Sequence, residues 1–587
     1  MLTTRLPSRA LCLCSVKSAG PPRTLHTTTR RPMQGSWKLT WRADKLLSRN
    51  QFPDQGSLSR SSSSTTSTPE DLALSSSVEN KRFSHSSAQA AHKNLPAMSV
   101  TSWISELVSR ATIHDLSATT VHRSKRMLLD TLGVGVLGAG TDISRTVSRS
   151  CLMLEQGGGA IQSRGEVKSV VGGAGKRGRN VGGTGAVLWG SRSSKASPAT
   201  AAYINGVSVH SMDMDDTWHP ATHPSGPTLP AVLALAETLV PNAGGSGGVS
   251  LEDVLVAYNV GIEVQGLLLR AARSAQSIPS RFHPPAVVGV MGSAAACANL
   301  LGFGPSKCRA ALGIAASFSG APMANAGTTT KPLHAGKAAR FGLEAALLAD
   351  QGIEGNSNIL DMASGFGAFY EDFDPETLLA ENSGNAEFLL HTQDVALKRF
   401  PAHLGMHWTI DAAMAARKNL VGEGSALVDT SNIRKILVRA PPSKYINRPV
   451  PSSEHEARHS FQFSACTALL DGQVTPESYH DDCLKRSELQ DLLHMTEIET
   501  PEDNHASFNE MYVEVSLFLK DGSEIKGRCD TPYGHWRNPL SDEDVVRKFE
   551  QNAEALSSQS RQEIVRLVQT MSAEAYATDL TSLLHAY

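Results

Sequence analysis

Apolar residues recur at helical spacing as soon as the chain passes residue 98. SWISELVSRA and TTVHRSKRMLLDTLGVGVLGAG both carry the pattern, and in the second Val121, Leu128 and Leu132 share one stripe, while Arg123, Lys125 and Arg126 fall largely off it. Both stretches are therefore predicted helices, and a Gly-rich end stops the second. SPATAAYINGVSVH predicts an alanine-rich helix, and LEDVLVAYNVGIEVQGLLLRAA at 251–272 is apolar on more than one face, the pattern of a helix buried inside a bundle. Helices of small residues follow in AVVGVMGSAAACANLLG and CRAALGIAASFS, then a further one around KPLHAGKAARFGLEAALLADQG. From about residue 394 the texture changes. IRKILVRA at 433–440 reads as a strand, and YVEVSLFLKDGSEIKGRC alternates into Asp521–Gly522 and out again as a hairpin. The chain ends in a helix-rich tail, EDVVRKFEQNAEALSSQSRQEIVRLVQTM. The expected fold is mostly α: a helical domain over 98–393, a smaller α/β domain over 394–535, and a return to the helical body over 536–587.

Two stretches interrupt this pattern. Residues 156–186 combine many glycines with basic residues and show no sustained periodicity. A phosphate-binding glycine loop needs a strand before it and a helix after it, and neither is evident, so the stretch reads as a flexible surface insertion. The second is HSMDMDDTWHPATHPSGPTLP, 210–230, which holds three histidines, three aspartates and four prolines between two helical patterns. Pro220, Pro224, Pro227 and Pro230 remove backbone donors and disfavour helix in the residues before them, which predicts an ordered loop with helix resuming at AVLALAETLV. Titratable side chains on a loop held between helices are where binding and chemistry concentrate.

Composition adds limits. The 587-residue chain is long enough for more than one domain, and its net charge of -2 gives no bulk basic character for nucleic acid. Arg5, Arg9, Lys17, Arg23, Arg30, Arg31, Lys38 and Arg42 precede the first acid, Asp44, among many serines and threonines. That make-up suits a mitochondrial transit segment and a matrix location, the alternative being a plain basic tail. With the polar SRSSSSTTSTPEDLALSSS behind it, 1–97 is expected to be leader and folding to begin near Met98. Eight cysteines form no CxxC pair or zinc spacing, and no apolar run reaches membrane-spanning length.

The candidate chemistry is cationic and imidazole-rich. His219 and His223 are four apart, but Pro220 and Pro224 argue against one helical face carrying both as metal ligands, and no HExxH is present. His283 precedes a helix start whose dipole welcomes anions. Lys331, His334 and Lys337 surround another helix start, which suggests a polyanionic ligand, the bland alternative for each lysine being plain surface. Lys398, His403 and His407 lie near a third, and Tyr445 and Arg448 follow.

Taken together, MDMDDTWHPATHPSG, RFHPPAVVGVMGSAAA, TTTKPLHAGKAA, KRFPAHLGMHW, EARHSFQFSACTALLDG and YGHWRNPLS resemble the MmgE/PrpD family, in family order from about 99 to 550. The resemblance implies a large helical domain with a smaller α/β lid, a homodimer, and a site between the domains that uses no cofactor and no metal. It implies a tricarboxylate substrate, with cofactor-free decarboxylation of cis-aconitate to itaconate as the expected reaction. A methylcitrate-type dehydratase is the alternative, and a non-catalytic carboxylate-binding protein is the alternative of another class. Carried over by position, the site residues are Asp213, Thr217, His223, His283, Lys331, Lys398, His403 and Tyr445. His223 is expected to donate the proton and Asp213 to orient or charge-balance a histidine. Thr217, Lys331, Lys398, His403 and Tyr445 are expected to bind carboxylates, with His283 and Tyr445 sharing either role. Met214 stands where the family usually has phenylalanine.

Overall fold

In the computed structural model, the described residues are 98–157, 179–182, 185–218, 222–241, 248–272, 281–381, 387–422, 428–443 and 446–586. The expected leader, most of the 156–186 stretch, His219 and Tyr445 lie outside them. The fold is mostly α, with small sheets and one α/β part. One apolar core gathers residues between Val100 and Leu397 and again between Leu540 and Leu584. A second gathers residues between Ala396 and Cys529.

Helices build the first core. The Leu251–Arg270 helix is buried along nearly its whole length, as its all-round apolar pattern requires. The one acid in that buried stretch, Glu263, accepts a hydrogen bond from the Leu389 amide at 2.7 Å. Small residues set how closely helices approach. Where the Pro198–His210 helix crosses the Lys331–Asp350 helix, a Cβ on Gly206 would sit 2.9 Å from the Gly336 Cα, and a Cβ on Gly336 would sit 2.4 Å from the Tyr203 carbonyl oxygen. Backbone therefore lies on backbone at this crossing. The contact fixes the end of one helix, His210, against the start of the other, Lys331.

The proline-rich loop is shorter than its sequence suggests. Helix resumes at Ser225, six residues before AVLALAETLV, and runs to Thr238 with Pro230 inside it. The correction has a physical cause. Pro227 falls in the first turn, where a backbone N–H has no partner within the helix, so its missing donor costs little there. Pro230 gives up only one bond in a helix whose every residue but Glu237 is buried by its neighbours. The expectation of an irregular insertion also fails at its edges. Asp142–Gly157 is a helix that reaches into it, and Arg179–Val181 pairs antiparallel with Leu239–Pro241.

The second core is built on a four-stranded sheet in the order Thr496–Glu499, Ile433–Arg439, Val513–Leu519, Glu524–Cys529. The first pair is parallel and the other two antiparallel. Gly522 takes the left-handed conformation, φ 90°, in the expected hairpin turn. The Leu404–Val421 helix packs on the sheet and against the Phe461–Asp471 helix. The chain enters this part through residues 395–398. That segment is pinned on both sides: Thr217 and Ala396 exchange backbone hydrogen bonds at 2.9 and 2.8 Å, and the Leu397 amide donates to the Gly534 carbonyl at 2.9 Å.

Candidate active site

The loop from Ser211 to Pro224 holds the centre of the site. Asp213 sits in the left-handed region at φ 52°, a conformation that aspartate tolerates better than most residues. Its buried carboxylate accepts from Lys331 Nζ at 2.5 Å and from Lys398 Nζ at 2.6 Å, and Lys398 also donates to the Asp213 carbonyl at 2.9 Å. His459 Nε2 stands 3.4 Å from the same carboxylate. Burial works against ionising Asp213, but Lys331, Lys398, His459 and His210 outweigh it and hold the carboxyl well below the usual range. Burial lowers the proton affinity of Lys331, an effect that Asp213 opposes and Lys398 reinforces.

Beside this ion triad lies a cluster of imidazoles. The His210 ring stands edge-on to His223 at a centroid distance of 4.6 Å, His283 is 5.5 Å from His210 and 6.1 Å from His223, and His334 is 5.2 Å from His283. His223 Nδ1 lies 2.9 Å from the Asp216 carbonyl, 3.5 Å from Asp215 Oδ2 and 3.4 Å from Thr217 Oγ1. A carbonyl oxygen only accepts, so Nδ1 carries the hydrogen and Nε2 is the nitrogen available for proton transfer. His283 and His334 face each other Nδ1 to Nδ1 at 3.2 Å, so one donates and the other accepts. Burial, then the nearby Lys398, His210 and Lys331, depress His223 well below the ordinary imidazole value. Burial and Lys331 do the same to His283, and burial takes His334 down to about 4. Around neutral pH these three rings are neutral.

Of the residues expected from sequence, Asp213, Thr217, His223, His283, Lys331 and Lys398 are brought together here. His403 is on the second core, as N-cap of the Leu404–Val421 helix, where its Nδ1 accepts from the Gly405 amide at 3.2 Å. Its ring is 5.6 Å from that of His459, which links it to Asp213. The carboxylate beside His223 is Asp215, while Asp213 serves the two lysines and His459. His334 was read beside Lys331 at a helix start but not counted among the carried-over site residues, and Asp215, His210 and His459 were not singled out in the sequence reading. Asp215 and His210 lie within the stretch that was, and His334 is three residues from Lys331, one helical turn on. Met214 lines a separate cleft of about 920 Å³ with Arg399, Phe400, Tyr533, Lys548 and Asn552, and none of the clustered histidines lines that cleft.

Ring nitrogens of His210, His223 and His283 lie within 4.8 Å of one another, a spacing that admits a metal ion. Asp213, Asp215 and His223 make a second such group. Lys331 and Lys398 offset the charge of these two carboxylates, and the neutral imidazoles can take up protons when an anion arrives. Two cations on Asp213, polarisable rings and exclusion of water make a site able to hold several carboxylates and to move a proton at His223 Nε2.

Comparison with known proteins agrees with this arrangement. The MmgE/PrpD N-terminal domain matches residues 102–377 and the MmgE/PrpD C-terminal domain matches 400–573. The human protein named cis-aconitate decarboxylase is 46% identical over 487 residues, 83% of this chain and 94% of that protein. Its mouse counterpart is 47% identical over 457 residues, covering 78% and 87%. The cis-aconitate decarboxylase of Aspergillus terreus is 26% identical over 481 residues, covering 79% and 91%. With both family domains matched in order over most of its length, the chain belongs to the MmgE/PrpD family.

Proposed function

We propose that this protein is a carboxy-lyase that converts cis-aconitate to itaconate and carbon dioxide without a cofactor, acting as a homodimer in the mitochondrial matrix. The observation that carries the reading is the buried juxtaposition of Lys331, Lys398 and the imidazole cluster around one aspartate, together with the similarity to the human and mouse enzymes. cis-Aconitate is a trianion, and the site offers it two cations and neutral rings whose proton affinity rises once negative charge arrives.

The chemistry follows from the substrate's own double bond. Loss of carbon dioxide from the CH2–COO⁻ arm leaves its electron pair on an allylic carbanion. That charge spreads across the double bond to the carbon bearing the distal carboxylate, which takes up a proton to give itaconate. The conjugated carboxylate is the electron sink, so no carrier for the carbanion is required. Lys331 and Lys398 hold the two carboxylates that remain, a preorganised electrostatic role that is typically a large share of catalysis. Thr217, His403 and Tyr445 complete the carboxylate contacts. His223, protonated in the loaded site, delivers the proton from Nε2, and His283 stands beside it as a second imidazole within reach of the substrate.

The test is direct. The purified full chain incubated with cis-aconitate yields itaconate and carbon dioxide by NMR, whereas a methylaconitate product from methylcitrate would mark a dehydratase using the same loop to protonate a leaving hydroxyl. A protein inert towards both would be a carboxylate binder. The variant His223→Ala folds and loses turnover by about 100-fold or more, the usual scale of a general acid. Near-normal itaconate formation by that variant would remove the acid assignment.

A further inference from the structure

Behind His223 stands a buried pair that the reaction above does not use. Asp215 is fully buried. Its Oδ2 accepts from His210 Nδ1 at 2.8 Å and lies 3.5 Å from His223 Nδ1, while its Oδ1 is 4.0 Å from Lys398 Nζ, beyond hydrogen-bond reach. The other two aspartates of the loop are committed elsewhere. Asp213 is held by Lys331 and Lys398. Asp216 takes the Ser225 amide at 3.3 Å and the Ser225 hydroxyl, which is shared with Tyr258, and offers His223 only its backbone carbonyl. Asp215 is therefore the carboxylate at the rear nitrogen of the imidazole that faces the reaction.

From this geometry we infer that Asp215 is a positioning residue for His223, with His210 as its clamp: the Asp216 carbonyl takes the Nδ1 hydrogen, and the Asp215 carboxylate beside it balances the ring's charge while it carries the proton. The inference rests on the reading of His223 as the acid. The need for such a group is electrostatic. The groups facing His223 are Lys398 from the 395–398 segment, Lys331 from its helix start, His283 ahead of the Val288–Leu300 helix with His334 behind it, His210 at the end of its helix, and Asp213 and Asp215 of its own loop, the Asp216 carboxylate being turned to Ser225. Burial, Lys398, His210 and Lys331 oppose protonation of the ring, and Asp213 favours it. A fixed negative charge at Nδ1 favours the imidazolium, and the His210 Nδ1–H keeps that charge from turning towards Lys398. The arrangement follows the general logic of an acid–base imidazole backed by a buried carboxylate.

The experiment is the pH dependence of kcat for Asp215→Asn beside the unchanged protein. If His223 donates as imidazolium, kcat falls as pH rises through its value in the complex. Removing the charge behind it moves that alkaline limb to lower pH by about one to three units, the shift expected from one adjacent charge. The expected reading at pH 7.5 is a fall in kcat of tenfold or more that lower pH partly restores, with KM little changed. An alkaline limb in its original place, whatever the loss of activity, overturns the inference, as does a loss confined to KM. Should Asp215→Asn show no cooperative thermal transition, Asp215→Ser removes the same charge with a smaller side chain and is read in the same way. Loss of the fold in both variants would make Asp215 a purely structural residue and end the proposal. His223→Ala separates the two readings: if it is inert while the Asp215→Asn limb is unmoved, only the present inference fails, and if it is active, the acid assignment fails first.

Discussion

Asp213 shows how much one residue carries here. It adopts a conformation with positive φ and holds two lysine ammonium groups with one carboxylate. Those two demands separate under substitution. Asp213→Asn keeps a side chain suited to the left-handed region but leaves Lys331 and Lys398 with only Asp215, 4.0 Å from Lys398, as a nearby counter-charge. Asp213→Ala loses the charge and also pays the left-handed penalty of roughly 1–2 kcal/mol. Both variants are expected to lose turnover, and urea denaturation should find the alanine protein the less stable by about that amount. Equal stabilities would mean that the loop relaxes out of its strained turn. At this scale the sequence was partly legible. Histidines, aspartates and lysines near helix starts pointed to a polyanion site, and the family resemblance selected most of the residues that converge. It did not separate the roles of Asp213, Asp215 and Asp216, because those follow from the φ of one residue and from partners far along the chain: Lys331, Lys398 and Ser225.

At the scale of elements, the site depends on helices that meet without side chains between them. The crossing at Gly206 and Gly336 places His210 and Lys331 on facing ends of two helices. Gly336→Ala puts a methyl group 2.4 Å from the Tyr203 carbonyl and 2.6 Å from Val207 Cγ2. Because the first of these neighbours is backbone, the helices must part. The expected result is a destabilisation of about 1–3 kcal/mol, the usual range for overpacking. Turnover should fall more than stability, since Lys331 and His334 move with their helix; thermal melts and steady-state kinetics on the same sample check both. A variant as active as the parent would show that this crossing does not set the lysine. Periodicity found the long helices and the hairpin because burial pattern and period agree there. It misjudged the start of the Ser225–Thr238 helix, where prolines argued locally for a loop while the surrounding core buries nearly every side chain of the helix. Residue patterns also left the Thr496–Glu499 strand unread, a four-residue element held mainly by its parallel partner.

At the scale of the whole molecule, burying so many ionisable groups ties stability to pH. His223, His283, His334, His403, His407, His455 and His459 all bind protons less readily in the folded protein than in a free chain. Burial is the leading cause in each. Below about pH 6.5 the unfolded chain protonates these residues while the folded protein does not, so stability is lost as pH falls through that value. Five carboxyls pull the other way. Asp130, Asp216, Glu237, Glu263 and Asp411 are raised by burial, Asp216 and Glu263 to about 8 and Glu237 to about 7, and their contribution is lost as pH rises. Seven histidines against five carboxyls leave the histidines in control on the acid side, by two protons or about 3 kcal/mol per pH unit where all twelve groups are engaged. Above pH 6.5 the free chain's histidines are already neutral and only the carboxyls remain, which places the maximum near neutrality. Melting temperature should therefore drop from pH 7 to pH 5.5. A bound trianion changes the balance, because it raises the proton affinity of the rings around it and binding becomes linked to proton uptake. A saturating inert tricarboxylate should thus raise the melting temperature by more at pH 6.5 than at pH 8. An increment independent of pH would mean that the imidazoles stay neutral in the complex, and His223 would then hold no proton to give.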